Sequence, residues 1–130
     1  MSDVDYGRSH IRAAFSQALQ TQSAALMPYF TLGYPDRATS LDVVEAIAPY
    51  CDMIELGVPF SDPMADGPVI QRSSERALKH GVSLRSVMGY VSEFRRSDTA
   101  TPVVLFGYAN PIEAMGVDRF ADAAKAADAD

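Results

Sequence analysis

Along the chain, the spacing of apolar residues alternates between a helical period and short unbroken runs. Ile11, Phe15 and Leu19 recur at every fourth position and predict an amphipathic opening helix with these three on its apolar face. The run from Ala25 to Thr31 is short, apolar and closed by Gly33 and Pro35, and it predicts a strand. Pro28 inside that run argues against a central strand, because it cannot donate to a ladder. Thr39 and Asp42 have the spacing of a capping box ahead of Leu41, Val44, Ile47 and Ala48, which share one helical face. Asp52 to Leu56 predicts a second strand, and the long loop GVPFSDPMADGP follows it. Pro68 suits the first turn of a helix carrying Ile70, Ser74, Ala77 and Leu78, with Gly81 as its stop. Ser83 caps a further helix whose apolar face is Leu84, Val87, Met88, Val91 and Phe94. Val103 to Tyr108 predicts the third strand. Asn110-Pro111 then opens a helical stretch, divided by Gly116 from an Ala-rich helix through Phe120, Ala121 and Ala124.

The order is a helix followed by three strand–helix units, with strands that are short and continuously apolar. That pattern predicts an α/β protein with a parallel sheet covered by helices. Doubly wound sheets and closed barrels both produce it, and periodicity does not separate them. With 130 residues the chain is one domain at most, 1-130, and long enough to bury a core. The net charge of −6, from 17 acidic and 11 basic side chains without a Lys or Arg cluster, speaks against nucleic acid and anionic membranes as partners. A small anionic substrate stays open, since helix N-termini bind phosphate without net positive charge. Cys51 is the single cysteine, so neither an internal disulfide nor a thiolate metal cage is expected. The start MSDVDYGRSH lacks the basic and then apolar run of a signal peptide, and no stretch reaches membrane-spanning length. A cytoplasmic protein is the expectation.

In parallel α/β folds the chemistry sits at the carboxyl ends of the strands and in the loops after them. Strand alternation puts Met53 and Glu55 on one face, with Val104, Phe106 and Tyr108 sharing a face of the third strand and Met27, Tyr29 and Thr31 one of the first. Glu55 would then be an acid ringed by aromatic side chains, a setting that raises a carboxyl pKa and suits a group that gives and takes a proton. Alternatively it is a structural Glu paired with a Lys or Arg. Asp66, in Asp-Gly-Pro, and Asp62, in Ser-Asp-Pro, both fit ordinary turn chemistry. Tyr108 and Asn110 fit a core aromatic and an N-cap equally well. His80 ends a helix, His10 lies in the first one, and neither has a metal-ligand neighbour in the sequence. Residue chemistry alone therefore reaches an α/β enzyme with a Glu-centred site.

The segment from Glu55 to Gln71, ELGVPFSDPMADGPVIQ, closely resembles the signature of the tryptophan synthase alpha subunit family. Pro28 to Pro35 (PYFTLGYP) and Phe106 to Pro111 (FGYANP) are similar to its first- and third-strand motifs. The resemblance implies the N-terminal part of a (β/α)8 TIM barrel, here a leading helix plus about three strand–helix units. It implies a lyase that splits indole-3-glycerol phosphate into indole and glyceraldehyde 3-phosphate in tryptophan biosynthesis. Glu55 and Asp66 match the family's catalytic pair, and Tyr29, Phe106 and Tyr108 its indole-lining positions, where relatives often carry Phe for Tyr29 and Leu or Met for Phe106. Pro59, Phe60 and Asp62 are the expected partner-facing residues of the loop. No metal and no cofactor are implied for this chain. Pyridoxal phosphate belongs to the beta-subunit partner, in a heterotetramer of two alpha and two beta chains. A barrel takes about 250 residues, with phosphate held by its last loops. The alternative is therefore a non-catalytic half-barrel or assembly module, inactive without its C-terminal half.

Overall fold

The computed structural model describes the chain from Asp3 to Asp130, with side chains from Ser9 onward. Helix α1 spans Asp3–Gln20, strand β1 Tyr29–Thr31, helix α2 Arg37–Ile47 and strand β2 Ile54–Gly57. Helices α3 (Pro68–Lys79) and α4 (Leu84–Phe94) precede strand β3 (Val103–Phe106), and α5 (Ala109–Met115) and α6 (Val117–Ala126) follow it. The three strands are parallel and lie in the order β1-β2-β3.

Register explains how one sheet can carry two unlike faces. Phe30, Leu56 and Leu105 lie side by side, with Ile54 and Val103 one step earlier on the same face. Ile54, Leu56 and Val103 have no exposed surface, and they cluster with Leu41, Val44, Val87, Val91 and Phe94 of α2 and α4. Fully burying each such side chain contributes about 1.5–3 kcal/mol, so this face holds the sheet to its helices. The other face, carrying Tyr29, Glu55, Val104 and Phe106, is only half covered, and Phe106 is 50% exposed. Sequential strand order with helices packed on one face is the arrangement of a barrel wall; a doubly wound sheet covers both faces.

Several predicted boundaries move. Strand β1 begins at Tyr29, after Pro28, and the proline serves as an acceptor: its carbonyl takes the Glu55 N–H at 2.9 Å. Strand β2 runs to Gly57, so Glu55 lies two residues before its end. Strand β3 stops at Phe106, and Tyr108 caps α5 with Asn110 inside the helix. The cap of α2 is Asp36, whose carboxylate accepts the Thr39 N–H at 2.8 Å and the Thr39 hydroxyl at 3.0 Å. Those two bonds hold the Asp36 pKa below its ordinary value. Helix α4 matches expectation, with Leu84, Val87, Met88, Val91 and Phe94 all buried and a reciprocal Ser83–Ser86 capping box. Helix α1 does not: Ala18 is buried, whereas Phe15 and Leu19 are 47% and 80% exposed, because no described element packs on that side.

At the opposite end of the sheet from the site lies a charge network with no signal in the sequence. The Asp130 carboxylate, its side chain 1% exposed, accepts from the Arg95 guanidinium at 2.8 Å and from the Val103 N–H at 2.9 Å, and bonds His10 Nδ1 at 2.9 Å. Its own N–H donates to the Val103 carbonyl at 2.8 Å, so the segment after α6 runs beside β3. Among the described residues no helix is long and apolar enough to cross a membrane.

Candidate active site

Parallel register brings Tyr29, Glu55 and Val104 into one row of the open face, with Thr31, Gly57 and Phe106 in the row above it. Gly57 shapes what happens there. A Cβ at that position would lie 2.7 Å from Tyr29 Cε2 and closer still to Cζ and the hydroxyl oxygen, so the phenol leans over bare backbone. From there the Tyr29 ring meets Phe106 edge to face, with centroids 5.7 Å apart and planes at 81°.

The loop between β2 and α3 brings in the second carboxylate. Its turns are set by the Met64 N–H donating to the Asp62 carbonyl at 2.9 Å and the Asp66 N–H to the Pro63 carbonyl at 3.1 Å. Gln71, from the first turn of α3, donates to the Asp66 carbonyl at 2.8 Å. Tyr108 clamps the loop from the other side. Its hydroxyl accepts the Ala65 N–H at 2.9 Å and donates to the Asp66 carboxylate at 3.1 Å. The Phe60 ring lies over Tyr108 with centroids 5.2 Å apart and planes tilted by 32°.

These contacts enclose a cleft of about 270 Å3, with Tyr29, Phe106 and Tyr108 as aromatic walls, Val58 and Ala65 between them and Asp66 as the carboxylate. Glu55 is half-buried beside Tyr29 and is not part of the lining. The ion pair that would make Glu55 a purely structural charge is not found: among the described residues its carboxyl has no Lys or Arg partner. Both phenols titrate above their ordinary value. Burial raises Tyr29, and the nearby Asp66 carboxylate adds to it. Burial and the adjoining Asp66 carboxylate raise Tyr108, against the bond from Ala65. Each therefore stays a neutral hydroxyl at physiological pH.

The five residues expected at the site thus fall in one region, four on the cleft and Glu55 next to it. The three partner-facing residues separate. Asp62 is exposed, Phe60 is half-buried against Tyr108, and Pro59 is buried, a correction to its expected exposure. Pro59 lies two residues past the end of β2; the exposed apolar side chains later in the sequence are Met64 and Val69, at 80% and 79%. Sequence reasoning also missed Gly57, read as the first loop residue although it ends β2, and the buried hydroxyls of Thr31 and Ser73. Among the described residues no group of three or more His, Cys, Asp or Glu side chains could hold a metal ion.

Comparison with known proteins identifies the family and the fold. Residues 15–130 match the family described as tryptophan synthase alpha chain. The alpha chain of Nitrosospira multiformis is 55% identical over 123 residues, covering 94% of this chain and 44% of that protein. The alpha chain of Paraburkholderia phymatum is 57% identical, again over 94% of this chain and 45% of its own length. The crystal structure of tryptophan synthase subunit alpha from Legionella pneumophila superposes with a TM-score of 0.88 at 43% identity, over 93% of this chain and 47% of that one. The chain therefore spans about half the length of the relatives it matches. Its leading helix and three strand–helix units are the N-terminal part of their (β/α)8 barrel. This chain belongs to the tryptophan synthase alpha chain family.

Proposed function

We propose that this chain supplies the indole-side half of a lyase active site that cleaves indole-3-glycerol phosphate to indole and glyceraldehyde 3-phosphate. The observation that carries the reading is the Asp66 carboxylate held by Tyr108 on an aromatic cleft, with Glu55 beside it in register with Tyr29. The cleft is close to the lower size of a small-molecule site, about 300 Å3, as befits a flat bicyclic ring. In the proposed reaction Glu55 acts as the general acid and donates a proton to indole C3. Asp66 accepts the indole N–H hydrogen bond and stabilises the positive charge that develops on the ring. Glu55, now a carboxylate, takes the proton of the hydroxyl on the carbon bonded to C3. The carbon–carbon bond breaks, its electron pair restores the aromatic indole, and the side chain leaves as the aldehyde. The proton that Glu55 leaves on indole C3 is thus replaced by the substrate's hydroxyl proton, which resets the acid. Neutral Tyr108 contributes by fixing Asp66 while adding no competing charge.

The same reading gives a beta-subunit partner that receives the indole and carries pyridoxal phosphate, in a cytoplasmic complex of two alpha and two beta chains. Exposed Asp62 and Met64 of the β2–α3 loop, with exposed Val69 at the start of α3, support docking by this loop, which also carries Asp66. A half-barrel that acts only when joined to the rest of the barrel is supported by the open face around Phe106. Glu55→Gln and Asp66→Asn in the full-length alpha chain test the chemistry. Each should keep the fold and bind an indole analogue while losing at least about 10²-fold in kcat. Near-parental kcat in Glu55→Gln would sink the assignment.

A further inference from the structure

Four Ser and Thr residues are buried among the described ones: Thr31, Ser40, Ser73 and Ser74. Ser40 serves a turn, accepting the Gly33 N–H and donating to the Arg37 carbonyl, both at 3.0 Å. Thr31 and Ser73 instead bond each other at 3.0 Å, across 42 residues of sequence, from β1 to α3. Counting protons orients this link. Ser73 spends its one hydroxyl proton on the Ile70 carbonyl at 2.9 Å, so toward Thr31 it accepts. Thr31 therefore donates to Ser73, and toward Tyr29 its oxygen accepts, at 3.3 Å. The result is a one-way chain from the Tyr29 phenol through Thr31 and Ser73 to the backbone of α3. It commits the Tyr29 proton to Thr31 and leaves the phenol oxygen able to accept a further hydrogen bond.

The chain also joins the two elements that bear the carboxylates. Tyr29 pairs with Glu55 in the sheet, and α3 begins two residues after Asp66. We propose that Thr31 and Ser73 are positioning residues whose hydroxyls hold the Tyr29 ring over Gly57 and tie α3, and with it Asp66, to the strand facing Glu55. Removing either hydroxyl leaves Asp66 its bond to Tyr108 but lets the spacing of the two carboxylates drift. This inference rests on the lyase reading above.

The test compares Thr31→Val, Ser73→Ala and Thr31→Ser in the full-length alpha chain, scoring indole release and the folded fraction by circular dichroism. Thr31→Val keeps the shape and loses the hydroxyl. Ser73→Ala breaks the link from the helix side and serves if the valine variant fails to fold. Both should lower kcat roughly 10- to 100-fold, the scale of a displaced catalytic group. KM should change by less than about twofold, which marks an interaction needed in the transition state rather than for binding. Thr31→Ser, which keeps the chain, should restore most of kcat. Parental kcat in the valine and alanine variants, or losses that only track the folded fraction, would overturn the inference while leaving an inactive Glu55→Gln to uphold the lyase reading. A parent that releases no indole would overturn both.

Discussion

Gly57→Ala changes one methyl group at the point where the cleft is built. The backbone there lies outside the left-handed region, so alanine meets no conformational obstacle and the penalty is steric. The new Cβ would fall 2.7 Å from Tyr29 Cε2 and nearer to Cζ and the hydroxyl oxygen, against a whole ring edge rather than one mobile atom. Two side-chain torsions move that ring, and its other contacts resist: the edge-to-face packing with Phe106 and the hydroxyl link to Thr31. Ordinary contact returns only after a retreat of roughly 1 Å, a shift that overpacking data put at about 1–3 kcal/mol. The same displacement of a substrate-positioning wall costs on the order of 10²-fold in rate. Urea unfolding and indole release in the full-length alpha chain measure the two effects separately. A cycle with Tyr29→Ala identifies the cause, since removing the ring removes the obstacle. The double variant should then be more stable than additivity predicts by about 0.5–3 kcal/mol. Additive costs, or a Gly57→Ala chain with parental stability and kcat, would refute the steric account.

Two further outcomes concern the scaffold. Arg95→Leu leaves Asp130 buried without its cation and should cost about 3–5 kcal/mol in urea unfolding, where Arg37→Ala, which removes the exposed Arg37–Glu93 pair, should cost under about 1 kcal/mol; comparable small losses would show that the buried network adds little. Burial opposes ionisation of Asp98, but hydrogen bonds from Thr101 and Ala100 and the Arg95 charge outweigh it and bring its pKa below 3.8. Its stabilisation is therefore present above pH 3.8 and lost as pH falls through the lower folded value, so the Tm gap between parent and Asp98→Asn should close only in that acid range; a gap that already closes near neutral pH would contradict this.

Local pattern carried the architecture. The apolar positions of α4 are all buried as their spacing requires, and alternation placed Tyr29, Glu55 and Phe106 on one face, since strand geometry leaves no other choice. The motif around Glu55 and Asp66 was legible because its residue string is distinctive over seventeen positions. Periodicity was a poorer guide where burial depends on a neighbour: Phe15 and Leu19 repeat as a helix face should, yet no described element covers them. Strand ends were overread for a related reason, since apolar runs continue past the last ladder hydrogen bond, as at Gly107 and Tyr108. What only the tertiary structure decided is the set of contacts between residues far apart in sequence. Tyr108 meets Asp66, Thr31 meets Ser73, and Asp130 meets both His10 and Arg95. Each of these side chains has an ordinary local role available to it, as cap, turn or exposed charge. Its partner is chosen by strand order and helix placement, which bring distant segments within 3 Å or so and bury them together, where an unpaired polar group is costly.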